Sequence, residues 1–164
     1  MNDNNELRIF SLLVQNKPGV LFRISSLFRR RSFNIESVAV GPTEDKTVAR
    51  MVITMTADEE TAASFSRLLR KTIDVIDIVR MNRDQAIMSE LVLIKIKTDD
   101  LASRNSVLAM VGAWGAKVLE ITKNSVCVQI TGSSNDLDGF IDMAAEFGIV
   151  GVSRTGVTVL EKGK

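Results

Sequence analysis

The chain has 164 residues, 45% hydrophobic and 25% charged, with 21 basic against 20 acidic side chains and a formal net charge of +1. That balance suits a globular chain of one large or two small domains, and it supplies no strong field for nucleic acid or an anionic membrane. Histidine is absent and Cys127 is the only cysteine, which excludes disulfides within the chain, His/Cys zinc sites and histidine acid–base catalysis.

In chain order, Met1-Asn2-Asp3-Asn4-Asn5-Glu6 is polar and acidic, unlike the basic and then apolar start of a signal or transit peptide. No apolar run is long enough to cross a bilayer, so a reducing cytoplasm is the expected location. Leu7 to Val14 is apolar and partly alternating, which predicts a strand ending where Gln15, Asn16 and Lys17 turn polar. Val20, Ile24, Leu27 and Phe28 then repeat at helical spacing, with Arg23, Arg29 and Arg30 largely off that face.

Asn16-Lys17-Pro18-Gly19-Val20-Leu21 therefore joins a strand to a helix start. Pro18 brings a fixed φ and no amide hydrogen, and Gly19 lets a ligand approach the backbone. The first helical amides, around Gly19, Val20 and Leu21, lack intrahelical acceptors and sit at the positive end of the helix dipole, a setting that binds carboxylates. Asn16 carries both donor and acceptor atoms and can complete the recognition of a small zwitterion. By itself the segment also fits an ordinary Pro-Gly turn.

Ile35 to Gly41 and Val48 to Thr56 read as the next two strands, parted by Gly41-Pro42-Thr43 and a charged turn. Thr56-Ala57-Asp58-Glu59 fits a capping box before a helix whose apolar side is Ala62, Phe65, Leu68 and Leu69, with Arg67, Arg70 and Lys71 in its last turn. Ile73 to Val79 closes the first half as a strand rich in branched residues, giving the order βαββαβ. After the polar Asn82-Arg83-Asp84-Gln85 the order runs again: a strand from Glu90 to Lys97, a helix from Leu101 to Trp114 closed by Gly115, a hairpin of Lys117 to Thr122 with Ser125 to Thr131, a helix from Asn135 to Phe147 closed by Gly148, and a short strand near Thr155 to Leu160.

The expectation is an α+β chain of two ferredoxin-like βαββαβ domains, residues 1–81 and 90–164, with 82–89 as linker. Carboxylates and bases are scattered, with Asp74 and Asp77 on a strand facing opposite sides and Asp99-Asp100 serving as a helix cap, so no catalytic or metal site is expected. An RNA-binding sheet would need stacking aromatics that Val48 to Thr56 lacks. Arg29-Arg30-Arg31 reads as a solvated helix end, with a protein contact as the alternative, and Cys127 as a buried small hydrophobe.

The Pro-Gly loop, taken with Leu27-Phe28-Arg29-Arg30-Arg31-Ser32-Phe33-Asn34-Ile35-Glu36-Ser37 and Val40-Gly41, resembles an ACT domain. With Glu90-Leu91-Val92-Leu93-Ile94-Lys95-Ile96 and Arg154-Thr155-Gly156, the whole chain resembles the regulatory (small) subunit of acetolactate synthase. Ser32 and Ser89 depart from the glycine and arginine usual in that family. The resemblance implies a non-catalytic subunit that binds and activates the catalytic (large) subunit and confers feedback inhibition by valine or a related branched-chain amino acid. It implies thiamine diphosphate, magnesium and FAD on the catalytic subunit and no cofactor on this chain. It further implies a homodimer through paired ACT sheets, with the Gly19 to Leu21 amides on the valine carboxylate, Asn16 orienting it, and Asn34 and Ile35 of the paired subunit on its ammonium and side chain. Neither nucleic acid nor a membrane is expected as a partner. The alternative is a free-standing ACT-type amino-acid sensor that regulates another enzyme or a transcription factor.

Overall fold

The computed structural model of the chain describes residues 6–31 and 33–163, and of Arg30 and Arg31 the backbone alone. Ser32, and with it the departure noted there, lies outside the described residues, as do Met1 to Asn5 and Lys164. Of the three consecutive arginines, Arg29 is exposed. The elements run β1 (Glu6–Gln15), α1 (Val20–Arg31), β2 (Ile35–Pro42), β3 (Val48–Ala57), α2 (Glu59–Arg70), β4 (Val75–Met81), a 3-10 turn (Arg83–Gln85), β5 (Ala86–Lys97), α3 (Leu101–Ala113), β6 (Lys117–Ile121), β7 (Ser125–Gly132), α4 (Ser134–Ala145), β8 (Ile149–Arg154) and β9 (Thr158–Glu161). They form two compact units, Met1–Met88 with Val157–Lys164, and Ser89–Gly156.

In the first unit β2-β3-β1-β4 form an antiparallel sheet, the ferredoxin-like order expected. β1 is central because both of its faces are apolar. Phe10, Leu12 and Val14 point to the helices and meet Val20, Ile24 and Phe28 of α1 and Ala62, Phe65 and Leu69 of α2. Ile9 points the other way, into a smaller cluster with Val52, Met81, Ala86 and Val159. Phe65 is the centre of the helix side, its ring centroid 4.8 Å from Phe10, 5.3 Å from Phe28 and 5.0 Å from Phe33.

The second unit repeats the plan with the sheet order β6-β7-β5-β8. Val92, Ile94 and Ile96 of β5 and Val126, Val128 and Ile130 of β7 pack against Val107, Met110 and Val111 of α3 and Leu137, Phe140 and Ala144 of α4. Asp100 caps α3 as expected, in a reciprocal box with Ser103, and its hydrogen bond from the Ser103 amide holds the carboxyl below the usual carboxylate range.

Several expectations shift. The cap of α2 is Asp58, which accepts from the Thr61 amide at 2.7 Å; β3 runs on to Ala57, and the Thr56 hydroxyl donates to Glu36 instead. Ile73 and Asp74 precede β4 in a turn. The stretch 82–89, read as a linker, holds the 3-10 turn and the first residues of β5. The closing strand of the second unit is β8, while β9 pairs with β5 and places Val159 in the first unit's smaller cluster. Cys127 is half-buried, because β7 aims Val126 and Val128 inward and its alternate residues outward.

A charged knot ties the second unit together. Glu90 is 5% exposed and accepts from both Arg154 and the Ser134 hydroxyl, while Arg154 Nη1 lies 2.6 Å from Asp138. These partners, Glu90 first, raise the arginine's pKa further. Replacing Arg154 with Met strands the Glu90 carboxylate in a buried position. The expected cost is about 2 kcal/mol, less than for a fully buried pair because the Arg154 side chain is 31% exposed. Urea unfolding of the variant beside the parent chain measures it.

Candidate functional site

The loop between β1 and α1 is a tight turn held from three sides. The Lys17 amide donates to Gln15 O at 3.0 Å, the Asn16 amide to Thr47 O at 2.8 Å, and the Gln15 amide to Asp74 O at 2.9 Å. Gly19 has φ +84°, a region where a side chain is strained. Its carbonyl accepts the first helical bond, from the Arg23 amide at 2.9 Å, so Gly19 is the N-cap of α1 and Pro18 lies one residue outside the helix.

Asn16, Pro18, Gly19 and Leu21 are exposed, and Val20 is buried. The Val20 side chain belongs to the core and its amide donates to Lys17 O at 3.4 Å. Among the described residues the Gly19, Leu21 and Phe22 amides have no backbone acceptor, so they are the free donors of the turn. Asn16 has a structural task, since its side-chain nitrogen donates to Lys46 O at 2.9 Å. That bond ties the loop to the β2–β3 turn and leaves the Asn16 carboxamide oxygen as the atom available to a ligand.

Asn34 and Ile35 lie elsewhere. Ile35 pairs with Met55, which pairs with Arg8, whereas the loop follows Gln15 at the far end of β1. Seven strand positions separate Arg8 from Gln15, about 23 Å at strand rise. Within one chain the loop and the Asn34–Ile35 segment therefore sit at opposite ends of the sheet. Between them the exposed edge strand β2 carries Val38 and Val40, 37% and 50% exposed, and α1 presents Leu21 and Phe22, 51% and 76% exposed.

The sequence reading missed one pair. Asp74 is 5% exposed, and its carboxylate lies 2.5 Å from Arg23 Nε. The Arg23 side chain lies back along α1 toward the N-terminus, as helical side chains do, so that Nη1 comes within 3.3 Å of where a Cβ on Gly19 would stand. The signal was present as an acid in an apolar run, Ile73-Asp74-Val75, but its partner lies 51 positions away.

Among the described residues no three His, Cys, Asp or Glu side chains gather where a metal could sit, and no helix is long and apolar enough to cross a membrane. The site is a loop of backbone donors with one charged pair beside it, suited to holding a small anion or zwitterion rather than to bond-making chemistry.

Comparison with known proteins gives the family of the chain. Residues 10–77 match the profile of the AHAS small subunit-like ACT domain, and residues 89–163 that of the small subunit of acetolactate synthase. The chain is 35% identical to the acetolactate synthase small subunit of Mycolicibacterium smegmatis over 99% of this chain and 95% of that protein. It is 38% identical to that of Mycobacterium bovis over 93% and 90%. The crystal structure of the acetolactate synthase small subunit from Thermotoga maritima superposes with a TM-score of 0.90 at 25% identity, covering 97% of this chain and 99% of that one. The chain belongs to the acetolactate synthase small-subunit family, the regulatory and non-catalytic partners of a catalytic large subunit.

Proposed function

We propose that this chain activates an acetolactate synthase catalytic subunit and makes it sensitive to valine, with the Asn16 to Leu21 loop as the effector site. The observation that carries the reading is the turn at Gly19, of positive φ, where the Gly19 and Leu21 amides have no backbone acceptor among the described residues. A valine carboxylate fits those donors and the dipole behind them.

The opposite-end placement of Asn34 and Ile35 supports a two-copy site. Two β2 edges paired antiparallel about a two-fold axis would bring Ile35 of one copy to the Pro42 end of the other, the end of the sheet that bears the loop. Val38, Val40, Leu21 and Phe22 supply apolar surface for such a seam. A ligand at a seam binds one quaternary arrangement better than another, and that differential is what transmits inhibition. A coupling of about 1–3 kcal/mol gives roughly a 5- to 150-fold change. Thiamine diphosphate, magnesium and FAD belong in this reading to the catalytic subunit, and this chain holds none of them.

The test is reconstitution. Adding the purified chain to its catalytic subunit is expected to raise the rate of acetolactate formation, and valine is expected to lower that rate only when the chain is present. An unchanged rate on addition overturns the activating role, and inhibition by valine of the catalytic subunit alone overturns the effector role.

A further inference from the structure

We infer that Arg23, held in place by the buried Asp74, is the charged contact for the effector's carboxylate. The inference rests on the valine-site reading above and names a residue of that site.

Arg23 occupies the first turn of α1, where the helix dipole opposes a cation. A long cationic side chain on the surface ordinarily extends into water, yet this one lies across Gly19 with Nε on the Asp74 carboxylate at 2.5 Å. The Asp74 side chain is only 8% exposed while that of Arg23 is 49% exposed. The buried partner thus fixes one edge of the guanidinium, and the other edge stays open to solvent. Asp74 is itself fixed, because its carbonyl accepts from the Gln15 amide at the end of β1. The chain therefore stations a positioned guanidinium over the glycine of the loop.

A guanidinium has five N–H groups in a rigid planar fork. Asp74 takes the one on Nε, and among the described residues the four on Nη1 and Nη2 have no acceptor. Of these, Nη1 comes within 3.3 Å of where a Cβ on Gly19 would stand, beside a turn whose Gly19 and Leu21 amides also lack a backbone acceptor among the described residues. Charge-assisted bonds of this kind are about twice as strong as neutral ones. Asp74 has a second role, since its negative charge offsets the conflict between Arg23 and the dipole while the effector is absent. It acts through Arg23 and is a positioning residue.

The pair separates a contact from a brace in one experiment. L-valine and L-valinamide differ in the carboxylate alone, so calorimetric titration of the full chain with each, for the parent and for Arg23→Gln, reads the charge recognition directly. Arg23→Gln is expected to weaken valine by about tenfold or more and to change valinamide by less than about twofold. Asp74→Asn, which keeps the side-chain shape, is expected to shift valine in the same direction by a smaller factor. Arg23→Lys retains a cation without the fork and is expected to fall between the parent and Arg23→Gln, which keeps the comparison readable if the glutamine variant does not fold. Equal weakening of valine and valinamide means that Arg23 only braces the loop, and it overturns the inference while leaving the site in place. A parent chain that binds none of valine, leucine and isoleucine overturns this inference and the effector reading together.

Discussion

Gly19→Asp is expected to abolish the response to valine while the chain still activates its catalytic subunit. Two separate effects converge at this position. Gly19 adopts φ +84°, so any side chain there strains the turn by about 1–3 kcal/mol, and the new Cβ stands 3.3 Å from Arg23 Nη1. The aspartate carboxylate then lies among the donors proposed for the effector, fills the anion site from within, and repels a second carboxylate. Gly19→Ala separates the two effects, because it introduces the strain without the charge. It is expected to weaken valine inhibition in reconstituted enzyme, where Gly19→Asp removes it. Loss of activation along with inhibition in Gly19→Asp would mean that the turn supports the fold and would sink the assignment of Gly19.

Phe65→Ala is expected to cost about 3–5 kcal/mol, a large part of the 5–15 kcal/mol that holds a typical domain together. Phe65 is 0% exposed and its ring meets Phe10 of β1, Phe28 of α1 and Phe33 at the end of the α1–β2 connection. Three rings facing one void cannot collapse into it without moving the strand or helix that carries each, so the cavity term adds to the lost transfer free energy. The consequence reaches the proposed seam, because Phe33 immediately precedes Asn34 and Ile35. Urea unfolding of Phe65→Ala beside the exposed Arg67→Ala measures it; a difference below about 1 kcal/mol between the two would show that the aromatic centre does not organise this unit.

The architecture was legible because its signals are local. Val20, Ile24, Leu27 and Phe28 mark one face of α1, and Gly41-Pro42-Thr43 with the charged turn after it parts the strands Ile35 to Gly41 and Val48 to Thr56. Gly115 and Gly148 close their helices with φ +63° and +93°. Asp100 was legible as a cap because a capping side chain bonds an amide three residues away. Thr56 read as the start of a capping box by the same logic, but pairing with β1 as far as Glu6 extends β3 through Ala57 and leaves Asp58 to cap. A ladder of strand hydrogen bonds overrode a short motif.

What the sequence by itself determined was the class of the molecule: two βαββαβ halves, no histidine and a single cysteine, and a Pro-Gly loop poised at a helix start. Tertiary structure alone decided that Arg23 meets Asp74 across 51 positions, that Asn16 spends its side-chain nitrogen on Lys46, and that β9 joins β5 and the first unit's smaller cluster instead of closing the second sheet. The physical reason is the range of the forces. Periodicity and capping act over one turn or one pleat and leave their mark in neighbouring residues, whereas an ion pair or a strand's choice of neighbour depends on which surfaces meet once the chain is packed.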